Sequence, residues 1–158
     1  MGLAAALMLE RATRSPWRPY LDFFPAKLPH LPLFWAEADL ALLRGTTAWA
    51  KCEGAGGDAL PPCRQAEVWE TRVKPLMRAV AEDLGAGPSS VLCRRGLFLW
   101  ATAVVASYSF QLGAGKVHAI VPVWDALDHV TGRANVRLRH DATAGALQMV
   151  ATRDICAG

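Results

Sequence analysis

Five prolines stand between residues 14 and 34: Pro16, Pro19, Pro25, Pro29 and Pro32. Each lacks a backbone N–H and fixes its φ, so no regular helix can run through this stretch. The same stretch and its edge carry Trp17, Tyr20, Phe23, Phe24, Phe34 and Trp35. Proline among aromatics reads as an ordered, packed loop rather than a linker, and most of these rings are expected to pack beneath helices. The loop follows residues 3–12, a run of Ala, Leu, Met, Glu and Arg that favours helix.

Beyond the loop, residues 36–44 read as a short helix. Glu37 and Asp39 in its first turn suit the dipole, and Gly45 stops it. Residues 53–63 hold Gly54, Gly56, Gly57, Pro61 and Pro62 and read as loop. No Lys-Ser/Thr follows these glycines and no strand precedes them, so they are not a phosphate loop. Residues 65–84 form the clearest amphipathic pattern, with Val68, Val73, Leu76, Met77, Val80 and Leu84 near i, i+3, i+4 spacing. Pro75 lies inside that pattern and predicts a kink or a split. Ser89 or Ser90 is the expected N-cap of a further helix reaching about Phe110. Its centre is apolar almost all round, the mark of a buried spine.

The last third changes character. Val117 to Val123 is a short apolar run, expected as a strand with Pro122 near its end. A polar turn with Asp125, Asp128 and His129 follows. Residues 134–139 and 147–152 then alternate around a turn at 141–145 and predict a hairpin. Val136, Leu138, Leu147 and Met149, or their neighbours, would face a core.

At 158 residues the chain suits one domain. Hydrophobic residues make up 53% and charged residues 20%, a globular composition. The net charge of +3 is spread along the chain without a basic run, which speaks against direct nucleic-acid binding. Cys52, Cys63, Cys93 and Cys156 show no C-x-x-C or zinc-finger spacing, so reduced thiols and no metal are expected. Residues 1–9 lack the basic start of a signal peptide. Ala6 stands where myristoylation prefers Ser or Thr. The apolar run 97–106 falls well short of the ~20 residues of a spanning helix. No membrane role is expected.

Four motifs in order carry a resemblance. Ser15-Pro16-Trp17-Arg18-Pro19-Tyr20 comes first. Pro32-Leu33-Phe34-Trp35 with Leu43-Arg44-Gly45-Thr46 comes second, and Ser107-Tyr108-Ser109-Phe110-Gln111 third. The fourth is Val121 to His129, with Asn135 six residues beyond the histidine. Together they resemble SET-domain protein-lysine N-methyltransferases of the Rubisco large-subunit methyltransferase-like, non-histone branch. The cofactor segment of that branch reads P-x-x-D-x-x-N-H, then an Asn. Pro122, Asp125, His129 and Asn135 match, and Asp128 stands where Asn is expected.

The resemblance implies an α+β fold: a mainly helical SET insert over residues 1–112, then part of the SET β-sheet over 113–158. It implies S-adenosylmethionine as cofactor, touched by Tyr108, Asp128 and His129. It places Trp17, Ser109 and Gln111 toward a protein substrate presenting a lysine. It implies a nuclear location, with the cytoplasm second. Asp128 can accept from the ligand's ammonium but cannot donate to its carboxylate, which bears on affinity. The family's Gly-x-Gly loop and catalytic tyrosine have no counterpart in this sequence. No catalytic residue is therefore assigned, and impaired turnover is expected of a truncated chain. Plain aromatic packing is the alternative reading of Trp17 and Tyr108, and a capped surface turn that of His129. For the whole chain the alternative is a non-enzymatic interaction module. Unpaired sheet edges would favour association.

Overall fold

The computed structural model describes residues 2–52, 64–112, 117–127, 130 and 132–155. The fold mixes helix and sheet. Its contacts divide the chain into two units, Met1–Tyr108 and Ser109–Gly158.

The first unit is helical. α1 (Gly2–Ala12) buries Ala4, Leu7 and Met8. The Ser15 hydroxyl donates to Glu10 Oε2 and accepts from the Trp17 N–H at 3.0 Å. This turn launches α2 (Arg18–Leu21), a single helical turn with Pro19 in its opening positions. A 3-10 turn, Pro32–Phe34, likewise opens on proline. The bar on helix between residues 14 and 34 therefore needs correction at these two places. A proline in the first turn loses no helical hydrogen bond, because that N–H has no partner there.

The proline-rich loop is tied to the helices. Leu21, Phe24 and Leu28 are buried, and Trp100 Nε1 donates to the Pro25 carbonyl at 3.1 Å. The Arg11 guanidinium lies 4.0 Å from the Trp100 ring centroid. Burial pushes Arg11 below its ordinary value, against an opposing pull from Asp22. The expectation that most of the rings pack beneath helices is not met. Phe24 is buried, but Trp17, Phe23 and Phe34 are exposed. One helical turn and a short loop offer few inward positions, and Leu21, Phe24 and Leu28 occupy them.

α3 covers Glu37–Ala41, shorter than expected, and the chain winds through turns to Gly45 at φ +81°. α4 (Thr47–Cys52) was not expected. Thr46 caps it: its Oγ1 accepts from the Trp49 N–H at 3.1 Å and donates to the Leu43 carbonyl at 2.6 Å.

Residues 65–83 form one helical rod in three parts. α5 (Gln65–Val68) leads into a π-helical turn, Trp69–Val73, and then α6 (Lys74–Asp83). Pro75 sits just past the π turn. A proline inside a helix lacks its N–H and crowds the carbonyl four residues earlier. The wider i→i+5 turn accommodates that crowding. It also changes which residues face inward. Gln65, Trp69, Val73, Met77 and Ala81 are buried at a spacing of four, whereas Leu76 and Leu84 are exposed. At 3.6 residues per turn, steps of four drift by about 40° each, and the π turn absorbs part of that drift.

α6 ends in a Schellman motif. The Gly85 N–H donates to the Glu82 carbonyl at 2.9 Å and the Ala86 N–H to the Ala81 carbonyl at 2.7 Å. Gly85 sits at φ +68°, with nothing within 4 Å of where a Cβ would stand. Gly85→Ala should therefore cost only the left-handed backbone penalty, about 1–2 kcal/mol. A chemical-denaturation midpoint unchanged by the substitution would refute this.

Ser90 accepts from the Leu92 N–H at 3.3 Å and caps a 3-10 turn, Val91–Cys93. α7 (Arg95–Tyr108) follows, with Phe98, Trp100, Ala101, Ala103 and Val104 buried. It packs against α1. Phe98 stacks on Trp69 at 5.6 Å between ring centroids. α7 is the expected spine, but it stops at Tyr108 rather than near Phe110.

The second unit begins there. β1 (Ser109–Leu112) pairs antiparallel with β2 (Val117–Ile120), Ser109 opposite Ile120 and Leu112 opposite Val117. This pairing removes residues 109–112 from the helical part, so the division falls after Tyr108 rather than after Leu112. β2 ends three residues short of the expected Val123. Pro122 cannot donate, and Val123 lies at φ 74°, ψ −42°. A β-branched residue is rarely found there. A 3-10 turn, Trp124–Ala126, completes the bend, and Trp124 meets Phe110 edge-on at 6.0 Å.

β3 (Val136–Asp141) and β4 (Ala146–Ala151) form the expected hairpin, with Asp141 opposite Ala146 and Val136 opposite Ala151. Asp141 Oδ1 accepts from the Thr143 and Ala144 N–H groups at 3.1 and 3.0 Å, and Gly145 takes φ +59°. Arg139 donates to Gln148 Oε1, and Gln148 Nε2 donates to Asp141 Oδ2 at 3.2 Å. Val136, Leu138, Leu147 and Met149 share the opposite face, as the alternation predicts. They do not line a closed core: Leu147 is 37% and Met149 46% exposed. Two strands make one layer, and no described residue of this unit is buried. Among the described residues, no helix is long and apolar enough to cross a membrane.

Candidate functional site

The described site residues fall into two groups, one in each unit. In the first, α2 and α7 bring rings into a row. Trp17 meets Tyr20 edge-on at 6.5 Å, Tyr20 meets Phe24 at 5.1 Å, and Phe24 meets Tyr108 at 4.9 Å. Trp17 and Tyr108, far apart in sequence, are thus the two ends of one aromatic row. Trp17 is 53% exposed, so packing alone does not account for its whole ring. Two hydrogen bonds from Arg18 hold its turn. Arg18 Nη1 donates to the Arg11 carbonyl and Nε to Asp22 Oδ1, both at 2.9 Å.

The second group lies on β1 and β2. Ser109 and Gln111 alternate onto one face, with Ile120 and His118 opposite them. The Ser109 hydroxyl and His118 Nδ1 are 3.3 Å apart. His118 belongs to none of the four motifs. The sequence carries a signal: Gly-Ala-Gly-Lys between apolar-alternating 109–112 and 117–120 suits a hairpin. That hairpin sets His118 opposite Gln111 and diagonal to Ser109. The strip offers a hydroxyl, an amide and an imidazole in water. It is suited to hydrogen-bonding a polar partner. Solvent exposure removes the low-dielectric setting that nucleophilic catalysis by such a pair would draw on.

Asp128 and His129 lie outside the described residues. Of the other motif positions, Pro122 and Asp125 fall in the bend after β2, where the Asp125 N–H bonds the Val121 carbonyl at 3.2 Å. Asn135 opens the β3–β4 hairpin, its carbonyl accepting from the Thr152 N–H at 2.8 Å. Gly45 and Thr46 serve the turn between α3 and α4. Among the described residues no three His, Cys, Asp or Glu side chains gather closely enough to hold a metal ion. The Cys93 thiol is free.

Comparison of the chain with family models, with curated proteins and with solved structures finds no match.

Proposed function

We propose that this chain derives from a SET-type, S-adenosylmethionine-dependent protein-lysine N-methyltransferase acting on a protein substrate. The observation that carries the reading is the ordered series of four motifs, from Ser15-Pro16-Trp17 to Asn135. The aromatic row lends it support, because ring faces attract a lysine side chain and its ammonium by cation–π interaction. In this reading Trp17, Ser109 and Gln111 face the substrate segment, and Tyr108, Asp128 and His129 face the cofactor.

These residues do not by themselves make a complete cofactor cleft. The methionine end of the cofactor carries an ammonium and a carboxylate. The Asp128 carboxylate can accept from the first and repels the second, whereas an amide would serve both.

The test uses a chain extended at both ends with the family's Gly-x-Gly and catalytic-tyrosine segments. That chain should transfer radiolabelled methyl to lysine. A charge-assisted hydrogen bond contributes about 1.5–3 kcal/mol, so Asp128→Asn should lower the cofactor KM by roughly tenfold or more. Trp17→Ala should raise the substrate KM and leave the cofactor KM nearly unchanged. No transfer by the extended chain overturns the reading. An unmoved cofactor KM in Asp128→Asn overturns the placement of that residue.

A second reading is a non-enzymatic interaction module. The observation that favours it is the second unit, whose apolar side chains Val117, Val123, Leu147 and Met149 are exposed.

A further inference from the structure

We propose that the chain self-associates through β4, joining two copies in a four-stranded antiparallel sheet ordered β3–β4–β4–β3. This inference does not depend on the methyltransferase reading. It starts from a mismatch in the second unit. A lone two-stranded hairpin is marginal in water, yet β3 and β4 are six residues each, and within their sheet each has only the other as partner. Among the described residues, each therefore carries an unpaired edge in that sheet.

The two edges differ in chemistry. β3 reads Val-Arg-Leu-Arg-His-Asp and β4 reads Ala-Leu-Gln-Met-Val-Ala. Charged side chains are a standard guard against edge-to-edge pairing, and β3 has them. For β3 on itself, the two-fold registers that use most of the strand centre on Leu138 or Arg139. The first opposes Arg137 to Arg139 of the other copy, and the second opposes Arg139 to itself. Like charges directly opposite are destabilising. β4 has no charge, no proline and no glycine. Nothing in its sequence resists a second copy of itself.

The faces fix the register. A two-fold axis normal to the sheet keeps like faces together, so it must pass through a residue. Centred on Gln148, it opposes Leu147 to Met149 of the other copy, twice, and Ala146 to Val150. Centred on Met149, it opposes Leu147 to Ala151 and Gln148 to Val150, a poorer match. The Gln148 register also continues the apolar face. Val136, Leu138, Leu147 and Met149 of one copy run into the same set of the other. The Gln148 side chain is already bonded to Arg139 and Asp141 on the far face and needs no partner across the axis.

Sedimentation equilibrium of the whole chain tests this with two paired variants. The unmodified chain should be monomeric when dilute and dimeric at higher concentration. Leu147→Lys with Met149→Lys sets lysine against lysine twice across the axis and should weaken the dimer at least tenfold. Leu147→Glu with Met149→Lys sets glutamate against lysine in the same places and should restore it. Both positions are partly exposed, so the helical unit should keep its near-ultraviolet circular dichroism.

Backbone hydrogen exchange in the unmodified chain gives a reading free of any variant. Amides of Ala146–Ala151 should gain protection as concentration rises. A chain that stays monomeric, a Lys/Lys variant that dimerises as well as the unmodified chain, or a Glu/Lys variant no better than Lys/Lys overturns the proposal. So does protection gained only outside the β3–β4 hairpin.

Discussion

Phe98→Ala should destabilise the first unit by about 3–5 kcal/mol, the range for removing a buried phenylalanine side chain. Phe98 is 2% exposed and stacks on Trp69, itself 3% exposed. The loss has three parts. The ring's transfer from water contributes about 1.5–3 kcal/mol. The remainder is the void left between α7 and the π turn, which rigid neighbours cannot fill. Trp69 then loses its stacked partner, worth about 0.5–1.5 kcal/mol beyond area. Whole-domain stabilities are about 5–15 kcal/mol, so this one change should remove a large share. Urea denaturation followed by tryptophan fluorescence measures it. A loss under about 1 kcal/mol would mean that the stack is not part of the core.

The second large effect separates the two units. In dilute solution, amides of α7 should exchange only on global unfolding, whereas those of β1 to β4 should exchange by local opening. The expected contrast is roughly a thousandfold or more in protection, since about 5 kcal/mol of stability corresponds to between three and four decades. The reason is burial. Every fully buried side chain of the described residues lies in the first unit, from Ala4 to Val104. Phe98→Ala should then lower protection in α7 and leave the hairpins unmoved. Hairpin amides as slow as those of α7 in dilute solution would mean that the second unit shares the first unit's core.

Much of this arrangement is legible in the sequence where one local rule dominates. α1 follows from good helix formers, and the β3–β4 hairpin from strict alternation around a turn. α7 follows from an apolar run too long for a strand. The reading fails where two rules compete. Pro75 predicts a break, but the backbone keeps winding by widening its turn, and the inward set shifts from Leu76 and Leu84 to Trp69 and Ala81. α4 has a signal that the Leu43-Arg44-Gly45-Thr46 motif hides: Thr46 before Thr47-Ala48-Trp49-Ala50-Lys51 is an N-cap. Val123 at positive φ has no signal in its residue type. Of the candidate site, the row joining Trp17 to Tyr108 needed the fold, because Tyr20 and Phe24 had no reason in sequence to stand between them. His118 needed the β1–β2 register.

The π turn between α5 and α6 has a consequence for length variation. Such a turn amounts to an α-helix carrying one residue too many. Each residue advances an α-helix by about 100°, so losing one from α7 would rotate Phe98 away from Trp100 and Val104 and scramble the spine. Losing the exposed Thr71 together with Pro75→Ala should instead collapse the bulge into ordinary helix, because the wide turn is then no longer needed to clear the proline ring. The two halves of the rod would shift in phase by a residue, with the inward set re-spaced toward three and four. In chains built on this plan that lack a proline at position 75, insertions and deletions should therefore collect between Trp69 and Val73 and be rare between Phe98 and Val104.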